Sequence, residues 1–220
     1  MTQAPTVHTE GLTKAYGRRV ALRDLDLEIE VGEIFGYLGP NGAGRTSTLR
    51  LLAGMGRPTS RRTQVLGYDP WRDSVQVHRQ MGYLSGEPAP DDRLTGREHA
   101  QYLGSLRGKV TPQRVQELPA RLDLDLDRPC RELSKGNRQK LALVPAMMSC
   151  PRLLILDDPR STSTAAATLC TTESQAPQWW LPCSPSRGSW WSQPGLSAGA
   201  TSWPDMHRAL LGSHQVRAPT

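Results

Sequence analysis

Two short stretches of this chain carry residue types whose spacing could do chemistry. Gly39-Pro40-Asn41-Gly42-Ala43-Gly44-Arg45-Thr46 has the form GxxxxG, then a base, then a hydroxyl, with Ser47 following. Glycines let a backbone curl so that successive N–H groups point inward as an anion nest, and a helix starting behind the loop adds its positive end. Phosphate oxygens suit such a cradle, and the Thr46 hydroxyl suits a magnesium ion bridging the outer two phosphates. Far downstream, Leu153-Leu154-Ile155-Leu156 reads as a central parallel strand closed by Asp157 and Asp158. Carboxylates at such a strand end stand where open α/β sheets gather ligands. Asp157 can hold the cation, usually through water, and Asp158 can polarise an attacking water as general base. Alone, the first stretch also fits a plain strand-to-helix turn and the second two acids in a surface turn. Together, in this order, they favour a phosphate site.

The elements that must position these residues are an α/β set. Residues 7–16 and 25–31 read as strands; in the second, Leu25, Leu27, Ile29 and Val31 alternate with Asp26, Glu28 and Glu30, the pattern of a half-buried antiparallel edge. A short apolar run at 34–38 enters the Gly-rich loop, and a helix at 46–53 leaves it. Further strands are expected at 64–66 and 81–84, with a helix near 71–79 between them. Residues 94–122 are helical in pattern, with Thr95 as a cap and Thr111-Pro112 opening another helix. A helix at 133–148, capped by Ser134, precedes the acidic strand.

The chain of 220 residues is long enough for one sizeable core with a smaller lobe. Its net charge of +6 comes from scattered Arg and Lys among Asp and Glu, so a nucleic-acid partner is not expected. Cys130, Cys150, Cys170 and Cys183 show neither zinc spacing nor a disulfide framework, and a reducing compartment fits. No window is long and apolar enough to span a bilayer, and the N-terminus has no signal-peptide pattern.

Together these residues resemble the nucleotide-binding subunit of ABC transporters over residues 7–159. Tyr16, in LTKAYG, matches the aromatic that the family places against adenine. Leu133-Ser134-Lys135-Gly136-Asn137 resembles the LSGGQ signature, whose serine and helix N-terminus close over the terminal phosphate held by a second subunit. The resemblance implies a P-loop NTPase core of the ABC ATPase type, with an N-terminal antiparallel β lobe and an inserted helical lobe at about 86–150, all within residues 1–160. It implies ATP and Mg2+ as cofactors. Tyr16, Gly39, Pro40, Asn41, Gly42, Ala43, Gly44, Arg45, Thr46 and Ser47 would bind nucleotide, Thr46 and Asp157 the metal, and Asp158 would be catalytic. It further implies a head-to-tail dimer with a second ATP-binding subunit, a membrane-spanning permease partner, and a place at the cytoplasmic face of the membrane. The phrasing LTKAYG, GPNGAG, DRLTGREH and LSKGNRQK is most similar to bacterial subunits of ABC-2 type multidrug or antibiotic exporters.

The chain departs from that pattern in four places. Arg45 stands where the motif has Lys, and a planar guanidinium does not fill the space of a compact ammonium. Gly86 stands where the family commonly has Gln, leaving no side chain for magnesium. Asp158 stands where the catalytic Glu belongs, one methylene short, and a misplacement of about 1 Å can cost roughly a hundredfold in rate. After Pro159 the expected dimer loop, helix and histidine-bearing strand are missing; His207 and His214 lie too far on.

Residues 161–220 hold one Val, no Ile, Phe, Tyr, Lys or Asn, and five of the six tryptophans, with no period of 2 or 3.6. A reading-frame change near Pro159-Arg160 in a GC-rich gene accounts for this: shifting the frame turns Arg160 to Thr164 into Val-Asp-Leu-Asp and residues 178–181 into Val-Val-Ala. The competing account is a divergent, disordered tail. Coding DNA whose shifted frame yields no Leu-Asp loop and no later apolar strand with His would refute the frame change.

Overall fold

The structure, a computed structural model, describes residues 4–39, 42–85, 89–107, 112–157 and 165–171. Pro40, Asn41, Gly86, Asp158, His207, His214 and residues 172–220 lie outside these. Along the chain run β1 (Val7–Tyr16), β2 (Arg19–Ile29), β3 (Ile34–Gly39), α1 (Arg45–Leu52), β4 (Ser60–Val65), α2 (Ser74–His78), β5 (Met81–Leu84), α3 (Gly96–Arg107), α4 (Pro112–Arg121), α5 (Lys135–Met147), β6 (Leu153–Asp157) and β7 (Ala165–Thr171).

The first sheet has the order β2-β1-β4, antiparallel throughout. As the alternation requires, Leu25, Leu27 and Ile29 are buried while Asp26, Glu28 and Glu30 face water. β2 is longer than expected at its start, because pairing of Lys14, Ala15 and Tyr16 with Leu22, Val20 and Arg19 extends the hairpin.

The second sheet has the order β3-β7-β6-β5. β5 and β6 are parallel, and β7 is antiparallel to both β3 and β6, so β3, β6 and β5 all point one way. Side chains of β6 alternate between two cores. Leu153 and Ile155 join Phe35, Tyr37, Leu49, Leu52 and the antiparallel sheet, whereas Leu154 and Leu156 join Leu143 and Ala146 of α5. Gly82 lets β5 approach α5 closely: a Cβ there would lie 2.1 Å from the Ala146 carbonyl oxygen. A third cluster, including Ala100, Leu118, Leu133, Leu141 and Val144, holds the helices α3, α4 and α5 together.

Two expectations need correction. No strand was expected at 165–171, yet β7 lies inside the second sheet; its opening Ala165-Ala166-Ala167 is neither alternating nor β-branched, and the two flanking strands hold the chain extended there. The thiols were expected to be reduced, yet Cys150 is disulfide-bonded, while Cys130 is free and buried. Local cysteine spacing does not reveal a bond made through the fold.

Candidate functional site

The loop between β3 and α1 is built on backbone rather than side chains. Gly42 and Gly44 have φ of 87° and 81°, the left-handed region that favours glycine. At Gly44 a Cβ would also lie 2.2 Å from the carbonyl oxygen of Ala21, so the loop presses directly on β2. Gly44 is the N-cap of α1, no side chain caps the helix, and its first turn holds no acidic residue. A helix start of this kind leaves its positive end to an external anion. Thr48 secures the first turn from below, donating its hydroxyl to the Gly44 carbonyl at 3.1 Å and lying 3.4 Å from the Tyr37 hydroxyl. Ala43 and Thr46 are exposed, and Arg45 and Ser47 are half-buried.

The acidic strand ends at the same edge. Tyr37 pairs with Ala167, and Ala167 with Asp157, so Asp157 is level with Tyr37, two residues before Gly39. Two strand spacings set them about 10 Å apart. By alternation Asp157 shares the face of Leu153 and Ile155, which α1 covers. Thr46 and Arg50 are four residues apart and so share one side of α1. The Arg50 charge acts on the Tyr83 phenol, and Tyr83 is aligned with Ile155 across the parallel pair. Burial pushes the Tyr83 hydroxyl up from its ordinary value, and the Asp157 carboxylate pushes it further, with Arg50 opposing. Thr46 thus lies one turn before Arg50 on α1, and Arg50 and Tyr83, both interacting near Asp157, are residues that the sequence does not single out. Their only signal was position: one turn after Thr46, and on the strand that pairs with the acidic one.

A hydroxyl and a carboxylate are hard oxygen donors, which fit a magnesium ion that takes its remaining ligands from phosphates and water. Among the described residues there is no group of three His, Cys, Asp or Glu that would hold a metal by protein alone.

Tyr16 ends β1, opposite Arg19, with its side chain more than half exposed. It lies on the strand that pairs with β2, whose Ala21 touches the phosphate loop. The LSKGN residues sit elsewhere, on the helical lobe. Leu133 is buried there, Ser134, Lys135 and Gly136 are exposed and Asn137 is half-buried. Ser134 caps α5, accepting the Asn137 backbone N–H at 3.2 Å. A Cβ at Gly136 would meet nothing within 4 Å, so the start of α5 is open to an approaching surface.

Comparison with known proteins places the chain in a family. Residues 22–161 match the family model of the ABC transporter. The daunorubicin resistance ATP-binding protein DrrA3 of Streptomyces coeruleorubidus is 36% identical over 158 residues, 70% of this chain and 50% of that one. ATP-binding cassette sub-family A member 7 of Mus musculus is 39% identical over 165 residues, 72% of this chain and 8% of its own. Among solved structures, an ATP-binding subunit of an ABC transporter superposes with a TM-score of 0.63 at 26% identity, covering 70% of this chain and 66% of that one. The cbiO1 protein of Clostridium perfringens gives 0.62 at 21%, over 73% and 68%. The chain thus spans about half the length of its bacterial relative and a small part of the mammalian one.

Proposed function

Because this chain belongs to the ABC transporter family, we propose that it is the ATP-binding subunit of an exporter, one that holds magnesium-ATP and hydrolyses it slowly. The observation that carries the reading is the meeting of two strand ends. The glycine loop and Asp157 lie at one edge of one sheet, on the face that α1 covers.

In this reading residues 39–47 wrap the phosphates, with Arg45 toward the outer ones, and Tyr16 stacks on adenine. Thr46 and Asp157 hold magnesium, which when bound neutralises charge across the outer phosphates. Asp158 orients the attacking water and takes up its proton. Ser134 to Asn137 offer their exposed helix start to nucleotide on a second, head-to-tail subunit. A separate membrane permease is the remaining partner, which puts the protein at the cytoplasmic face of the membrane. Among the described residues no helix is long and apolar enough to cross a bilayer.

Three features support slow hydrolysis. Arg45 replaces a point charge by a fork, Asp158 is short by a methylene, and β7 is antiparallel to the strands that reach the site. The strand after the acidic one is expected to carry a histidine toward the terminal phosphate; here it runs away from that edge. The same features favour a second reading, a nucleotide-loaded regulatory or non-functional truncated copy.

A nucleotide titration run beside a phosphate-release assay tests both. The expected result is ATP binding with slow release, and a rise in release of about tenfold or more when Arg45→Lys and Asp158→Glu are combined. Absence of ATP binding would sink the proposal, and binding with no turnover even in the double variant selects the second reading.

A further inference from the structure

We propose that Lys14 is a positioning residue for the base of the bound nucleotide, covering one face of Tyr16 so that a purine stacks on the other. The inference rests on reading Tyr16 as the base platform. The Lys14 ammonium lies 4.8 Å from the centroid of the Tyr16 ring and donates to the Arg57 carbonyl oxygen at 2.7 Å. Two anchors on one ammonium fix a side chain that otherwise keeps much rotamer freedom.

The ring itself is 55% exposed at the end of β1, open to a ligand. Its strand partner Arg19 is two residues from Ala21, about 7 Å along β2, and Ala21 is where the phosphate loop rests. Base platform and phosphate cradle are thus joined through one hairpin.

A cation over one face has two consequences for the other. It draws π density toward itself, leaving the open face a better partner for an electron-rich purine. It also holds the ring in place before ligand arrives, so binding loses less side-chain freedom. Neither effect bears on a ligand that has phosphates and no base.

That asymmetry supplies the test. The full chain is titrated with magnesium-ATP and with magnesium tripolyphosphate, as wild type, Lys14→Met and Lys14→Arg. Lys14→Met is expected to weaken ATP about two- to fivefold and to leave tripolyphosphate unchanged; Lys14→Arg, which keeps a cation over the ring, is expected to restore ATP. Equal weakening of both ligands, or no change in either, overturns the role of Lys14 and leaves the phosphate cradle standing. A wild-type chain that binds neither ligand overturns the nucleotide reading, and this inference with it.

Discussion

At Gly44 a single backbone position has two separate reasons to be glycine. Its φ of 81° is strained for any residue with a Cβ, and that Cβ would run into the Ala21 carbonyl, which is backbone and cannot rotate aside. Gly42 has only the first reason, since a Cβ added there would meet nothing within 4 Å. Gly44→Ala is therefore expected to lose about 1–3 kcal/mol of stability and to abolish ATP binding, while Gly42→Ala loses less of both. Urea unfolding and nucleotide titration of the two variants check this; equal effects would mean that the contact with β2 is unimportant. The two glycines were legible in the sequence because their spacing is a property of the local chain. The clash with Ala21 was not, because it joins the loop before α1 to β2, far apart in sequence.

At the level of elements, local signals again show where sequence is informative. Thr95 was readable as a cap, and the structure completes it: Thr95 Oγ1 accepts the Glu98 N–H at 3.2 Å, and the Glu98 carboxylate accepts the Thr95 N–H at 2.8 Å. Ser134 caps α5, and the expected strands at 7–16, 34–38 and 81–84 begin where β1, β3 and β5 do. The Thr95 backbone N–H, and secondly its hydroxyl, hold the Glu98 carboxyl below its usual 4.5. A lowered folded-state value means that the carboxylate stabilises α3 above the ordinary value and that this is lost as pH falls through the folded one. Thr95→Ala should cost about 1 kcal/mol at neutral pH. The gap between wild type and Glu98→Ala should narrow below about pH 4.5. Thermal unfolding of both variants against pH provides the check; a gap that stays constant into acid would show that the carboxylate charge plays no part. What the sequence hid at this scale was the helix near 71–79, which shrinks to Ser74–His78, and the central strand β7. Both depend on neighbours more than on their own residues.

The whole molecule depends on β7 more than its sequence would suggest. In the second sheet β3, which ends in the phosphate loop, pairs among the described residues with β7 alone, and the acidic strand β6 lies on the far side of β7. Loop and carboxylate are thus held in register through β7, as in the row Tyr37, Ala167 and Asp157. Leu169 is the anchor. It is fully buried between its partners Phe35 and Ile155, in the cluster that also holds Leu49 and Leu52 of α1. Leu169→Ala keeps the strand and deletes buried methyls, for an expected loss of about 2–5 kcal/mol. Leu169→Pro also removes a backbone donor from a strand paired on both edges, where proline is not accommodated. It should release β3 from β6 and lose ATP binding together with cooperative unfolding, whereas Leu169→Ala retains binding wherever enough stability remains for the chain to fold. Denaturant unfolding followed with nucleotide titration separates the two variants. A Leu169→Pro chain with the stability and ATP affinity of wild type would show that the phosphate and acidic strands are held together without β7.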